Sequence, residues 1–133
     1  MLMSHTYRMN MNYENRIKVS LFRNSSNLRS FKQGDVIFNK GDPGKEMFVV
    51  RSGTVDLRVG NKTVVTLEHD EVFGEMALVD NQPRSASAIA ASDCELAVVD
   101  GKNFLFLVGE TPSFALQMLQ VLASRLRQTN SSL

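Results

Sequence analysis

The sequence predicts a mainly β fold with helices: an antiparallel, jelly-roll-like β-roll, one short helix inserted near its end, and two C-terminal helices. Three observations carry this. From Leu28 onward, short apolar runs recur between Gly, Pro, Asn and Asp turns, as in an all-β roll. Val55, Leu57 and Val59 alternate with Asp56 and Arg58, the two-residue period of a half-buried strand. After Asp100 the period lengthens to that of an amphipathic helix.

Residues 1–27 are polar and weakly patterned. They read as a lead-in segment, poorly ordered or a short helix, and the first thirty residues are basic (Arg8, Arg16, Lys18, Arg23 and Arg29 against Glu14). The domain proper is expected over 28–130. Asp35 to Phe38 is the first predicted strand. Gly41-Asp42-Pro43-Gly44 is a turn, with proline presetting φ. Met47 to Val50 follows as a strand, then Val55 to Val59. Gly60-Asn61 turns the chain into Thr63 to Leu67, a hairpin. A strand ends at Phe73, and Ser87 to Ala91 and Cys94 to Val99 complete the β-roll. Asp100 is placed to cap a helix over Lys102 to Val108, with Gly109 ending it. Thr111-Pro112 opens the longer final helix, with proline at the first helical position. Phe114, Met118, Leu119, Leu122 and Leu126 are expected to line its buried face, with a dimer seam as the other use of that stripe.

Bulk properties exclude several function classes. The chain has 133 residues, enough for one domain with a real core. A net charge of +1 lacks the basic excess of a general nucleic-acid binder, so no DNA binding by this chain alone is expected. Cys94 is the single cysteine, so no internal disulfide can form, which fits a reducing, cytoplasmic setting. The longest apolar run, Phe104 to Val108, is too short to span a bilayer. No phosphate-binding Walker loop, catalytic triad or paired-acid centre is readable, so no enzyme activity is expected. Glu68-His69-Asp70-Glu71 reads as a solvated acidic turn rather than a metal site, since no second ligand cluster accompanies it.

The chemistry lies in 72–88. Gly74 permits a tight turn after Phe73, and Glu75 to Leu78 can form one helical turn. Free amides at its start, beside a glycine, attract an anion. Asn81-Gln82-Pro83 returns the chain to Arg84, whose planar guanidinium suits a phosphate. Ser85 adds a hydroxyl, and the small Ala77 and Ala86 allow close approach. Glu75 would be repelled by a bare phosphate and costly if buried unpaired. It makes sense beside a ligand that offers a hydroxyl donor next to its phosphate, which a ribose does and inorganic phosphate does not. One acid, one arginine and a helix start within eleven residues therefore favour a sugar phosphate.

Phe73-Gly74-Glu75-Met76-Ala77-Leu78 followed by Pro83-Arg84-Ser85-Ala86 resembles the phosphate-binding cassette of the cyclic nucleotide-binding domain family. Lys40-Gly41-Asp42-Pro43-Gly44 and Val50-Arg51-Ser52-Gly53-Thr54-Val55 resemble that family's two glycine turns, and the likeness runs from about Leu28 to about Asn130. The resemblance implies a regulatory sensor that binds cAMP, favoured over cGMP, with no other cofactor. Glu75 would accept from the ribose 2′-hydroxyl and Arg84 would pair with the cyclic phosphate. The amides of Met76 and Ala77, with Ser85, would complete the phosphate shell. Val64, Val65 or Leu67 would line the base pocket. Arg125, Thr129 or Asn130 would reach the base from the final helix, whose movement would carry the signal to a second copy of the chain or to a partner protein. Two departures stand out: the helical preface is short, and no room is left for a helix-turn-helix after the last helix. The expected protein is thus a free-standing sensor or an excised module. A nucleotide-blind interaction module of the same fold, and a regulatory domain cut from a channel or transporter, are the alternatives.

Overall fold

The computed structural model describes residues 27–131 and, within the last helix, side chains as far as Arg127. The expectations for residues 1–26, and for the side chains of Thr129 and Asn130, lie outside the described residues. Among the described residues, eight strands and three helices follow in order: β1 Leu28–Phe31, β2 Val36–Phe38, β3 Glu46–Ser52, β4 Val55–Val59, β5 Lys62–Leu67, β6 Val72–Phe73, α1 Met76–Val79, β7 Ser87–Ala90, β8 Cys94–Asp100, α2 Gly101–Glu110 and α3 Pro112–Ser131. The strands form two four-stranded sheets, ordered β1-β8-β3-β6 and β2-β7-β4-β5, with every pairing antiparallel.

Strand β3 explains why Met47 to Val50 is unbroken in apolar character. Phe48 and Val50 face the second sheet, among Val55, Leu67, Phe73, Ala88, Leu96 and Val98. Met47 and Val49 face the opposite way, packing with Val72, Ala97 and Val99 against Phe114, Met118 and Val121 of α3. A strand covered on both faces carries no polar alternation. In β4 and β5 one face is wetter, and the alternation is readable; their register closes at Val59 opposite Lys62, leaving the two-residue turn Gly60-Asn61. Strand β1 carries little sequence signal, because Leu28–Phe31 has only two apolar residues and, among the described residues, lies at a sheet edge paired to β8 alone.

Three expectations are corrected here. Gly109 does not end α2; the helix runs through it to Glu110, and the Thr111 amide still donates to the Leu107 carbonyl at 2.9 Å. Thr111 is the breaking point because Pro112 follows, and its backbone is extended (φ −133°, ψ 87°). Second, the buried face of α3 is Phe114, Met118, Val121 and Ser124, whereas Leu119 and Leu126 are 63% and 62% exposed. The helix carries two apolar stripes on nearly opposite faces, and apolar spacing alone cannot choose between them. Third, the turn before β6 is not simply solvated. His69 is exposed, but Glu71 has 0% of its surface accessible, and its Oε1 accepts from the Glu68 amide at 2.8 Å.

Asp100 caps α2 as its sequence position suggested, accepting from the Asn103 amide at 2.8 Å. The two C-terminal helices meet at a bend of 116°. No single helix among the described residues is long and apolar enough to cross a membrane.

Candidate functional site

Strand β6 delivers the chain to Gly74, whose φ of +79° is strained for any residue with a Cβ. A Cβ at Gly74 would also stand 2.8 Å from Nη1 of Arg84. Glu75 then caps the single turn α1: its Oε2 accepts from the Met76 amide at 3.2 Å, and its carbonyl from the amides of Leu78 and Val79. Beyond Asp80 the chain turns at Asn81 (φ +61°), which the short polar side chain tolerates, and runs through Gln82-Pro83 to Arg84. The Arg84 amide donates to the Asp42 carbonyl at 2.9 Å, and the Gly41 amide donates to the Arg84 carbonyl at 2.8 Å. Two turns far apart in sequence are thereby tied into one wall.

That wall closes a cavity of about 530 Å³, within the usual range for small-molecule sites. Gly74, Glu75, Met76 and Ala77 form one side, and Asp80 with Gln82 to Ala86 form another. Phe38, Leu57, Val64 and Val65 supply an apolar floor, and Arg125 enters from α3. Two residues expected at the site stand elsewhere. Leu67 and Phe73 are fully buried in the core between the sheets. Val65 faces the cavity while Leu67, two residues on and opposite Val55 at the open end of the hairpin, drops into the core; Phe73 stacks on Phe48 with ring centroids 5.0 Å apart. Phe38 and Leu57, from strands outside the cassette, take their place. Asp80, Gln82 and Pro83 were likewise missed as lining residues.

Arg84 is 8% exposed. Its Nη1 donates to the Gly74 carbonyl at 2.9 Å and its Nη2 to the Glu46 carbonyl at 2.8 Å. The guanidinium lies over the Phe38 ring, 4.1 Å from the centroid, a cation–π geometry. Burial pulls its pKa below the ordinary arginine value, with the charges of Glu46 and Asp42 opposing that fall. Nε is buried with no hydrogen-bond partner among the described residues. Buried donors of charged groups are normally satisfied, so this one calls for an acceptor. The tightness of the seat is visible at Gly44, where a Cβ would come within 2.7 Å of the guanidinium carbon and 2.6 Å of the Ala77 methyl.

Glu75 is 2% exposed and forms an ion pair with Arg125, whose guanidinium also donates to the Val72 carbonyl. Burial pushes the Arg125 pKa down to about 10, against the opposing charge of Glu71, so it remains a cation at neutral pH. Arg125 was expected at the base; here it holds the acid. The reason is geometric: α3 crosses behind β6, which brings Arg125 onto Val72 and Glu75. Nothing in the local sequence signals the role of Glu46, which acts through its carbonyl. Among the described residues, no group of three His, Cys, Asp or Glu side chains is placed to hold a metal ion.

Comparison with known proteins agrees with this geometry. Residues 28–111 match the cyclic nucleotide-binding domain family. The chain is 38% identical over 110 residues to the cyclic AMP receptor protein of Thermus thermophilus, covering 79% of this chain and 51% of that protein. It is 43% identical over 63 residues to a cGMP-dependent protein kinase of Toxoplasma gondii, covering 47% of this chain and 6% of the kinase. The crystal structure of the Thermus thermophilus catabolite activator protein superimposes with a TM-score of 0.74 at 37% identity, over 79% of this chain and 52% of that one. The chain belongs to the cyclic nucleotide-binding domain family, as a β-roll regulatory domain. It spans about half the length of the bacterial receptor it matches.

Proposed function

We propose that this domain binds a 3′,5′-cyclic nucleotide, cAMP in preference to cGMP, and passes binding to helix α3 without chemically altering the ligand. The observation that carries this is a buried arginine and a buried glutamate facing one cavity, the arginine with a buried Nε still lacking an acceptor. Arg84 pairs with the cyclic phosphate, helped by the Ser85 hydroxyl and the amides of Met76 and Ala77. Glu75 accepts from the ribose 2′-hydroxyl. The base lies on Phe38, Leu57, Val64 and Val65. That floor is apolar, and guanine has more polar groups to desolvate against it than adenine. Ser85 is the group through which guanine would still be served. Thr129 and Asn130 remain candidates for polar contact with the base.

Coupling to α3 follows from Arg125. A ligand that engages Glu75 changes the partner of a cation on α3, and so acts differently on docked and undocked helix. Differential affinity of that kind is what shifts a two-state equilibrium. The receiving surface is the second apolar stripe of α3. Leu116, Leu119, Ala123 and Leu126 are exposed at spacings of three, four and three residues, the pattern of a coiled-coil seam. We assign it to a second copy of the chain, in a cytoplasmic setting.

A second reading, a nucleotide-blind interaction module, is favoured by one feature: both Arg84 and Glu75 already have partners within the protein. Calorimetric titration with cAMP and cGMP, after co-purified nucleotide is removed by unfolding and refolding, separates the two. Saturable binding with cAMP the tighter ligand is expected. A folded protein that gives no heat with either ligand overturns the sensor reading.

A further inference from the structure

Arg84 has an acid beside it that takes no part in lining the cavity. Glu46 opens strand β3, and its carbonyl accepts from Nη2 of Arg84 at 2.8 Å. Bond lengths alone keep its carboxylate within about 6 Å of that carbonyl oxygen. A charge there lies within about a Debye length, roughly 8–10 Å, of the guanidinium. The same acid opposes the fall in the Arg84 pKa that burial causes, as does Asp42. Asp42 is turned into its own loop, where Oδ2 accepts from the Asn39 amide at 2.9 Å. Glu46 is instead taken by a second arginine. Arg29 of the edge strand β1 donates from Nη1 to Oε1 at 3.1 Å and from Nη2 to Oε2 at 2.7 Å. Both carboxylate oxygens are engaged, in the fork geometry that arginine favours. The pair is open to solvent, with side chains 46% and 28% exposed, so it adds little to stability.

We infer that Arg29 is a positioning residue for phosphate recognition: it holds the Glu46 carboxylate in a neutral pair, so that Arg84 keeps its charge for the ligand; this rests on the nucleotide-binding reading above. An unpaired Glu46 would act against the ligand in two ways. Its charge would repel an anionic phosphate at the neighbouring guanidinium. Its side chain, released from β1, would also be free to swing toward Arg84, whose Nε is buried without an acceptor among the described residues. A carboxylate and a phosphate seek the same planar donor. Arg29 prevents both without touching the ligand. Strand β1 lies outside the cassette, and none of its residues lines the cavity. Through Arg29 it nonetheless gains a part in the site.

The test measures cAMP affinity by calorimetry in the full chain, at low and high salt, for Arg29→Gln and for the double variant Arg29→Gln/Glu46→Gln. Both variants keep the carbonyl at position 46. Arg29→Gln is expected to weaken cAMP roughly 3- to 10-fold at low salt, the size of a partly screened charge effect at this distance, and less at high salt. Removing the Glu46 charge as well is expected to restore affinity to within about twofold of the parent, although the double variant lacks the bridge as completely as the single one. A purely structural role predicts the opposite, since losing the bridge by either route would cost the same. Parent-like affinity in Arg29→Gln, or a loss that persists in the double variant, overturns the inference. If Arg29→Gln does not fold, Arg29→Met, which keeps an apolar stem, is read by the same criteria. No cAMP binding by the unaltered chain would instead sink the nucleotide reading itself, and this inference with it.

Discussion

Arg84 is a residue of the fold as much as of the ligand site. Its two hydrogen bonds to the Gly74 and Glu46 carbonyls join the cassette to β3, and its guanidinium covers Phe38. Truncating it therefore acts twice. Arg84→Ala is expected to cost about 1–3 kcal/mol of stability, since two backbone carbonyls lose a charged donor. It is expected to weaken cAMP by about 100-fold or more, from loss of the charge-assisted phosphate contact. Thermal unfolding and calorimetry read the two effects separately; unchanged cAMP affinity in the folded variant would remove Arg84 from the site. Glu75→Ala is expected to erase the preference for cAMP over 2′-deoxy-cAMP. If the unaltered protein shows no such preference, the role given to Glu75 is wrong. The chemistry of both residues was legible in the sequence, because acid, arginine and glycine fall within one short stretch. Their partners were not. Glu46 and Gly74 act through carbonyls, which every residue possesses, and Arg125 lies fifty residues downstream of Glu75.

At the scale of elements, the single turn α1 is placed by its flanking chain more than by its own packing. Gly74 enters it with positive φ, and the 41–42 turn grips the Arg84 backbone at its exit. Gly44 matters for the same reason, since its missing side chain is the space that Ala77 and Arg84 occupy. Gly44→Ala is expected to displace the guanidinium and reduce cAMP affinity about tenfold or more, given how steeply charged hydrogen bonds depend on geometry. The secondary structure should remain native by circular dichroism. A variant that binds as the parent does would show that the cassette yields freely. Helix α3 is the element least determined locally. Its two apolar stripes have similar composition, and only the sheet surface of Met47, Val49, Ala97 and Val99 selects the one that docks. Phe114 is fully buried there and meets Phe104 edge to face, with centroids 5.7 Å apart. Phe114→Ala is expected to cost about 3–5 kcal/mol, as for other buried aromatic truncations.

For the whole molecule, the unused stripe of α3 is an expectation about assembly. Leu119→Glu with Leu126→Glu is expected to lower self-association in sedimentation equilibrium while leaving cAMP binding to the folded chain intact. A parent chain that stays monomeric at high concentration would instead assign the stripe to another partner. The division between local and long-range information follows the physics of each feature. The sequence by itself determined the β-roll, the hairpin at Gly60-Asn61, the cap at Asp100, the start of α3 at Thr111-Pro112 and the nucleotide-type cassette. Each depends on a few neighbouring residues with a fixed period or a special backbone conformation. Tertiary structure alone decided that Leu67 and Phe73 belong to the core, that Phe38 and Leu57 floor the cavity, and which face of α3 is buried. It also brought Arg125 to Glu75 and the Val72 carbonyl. Those outcomes depend on which surfaces meet when distant segments pack, and apolar or charged side chains satisfy several local patterns until a neighbouring element selects one.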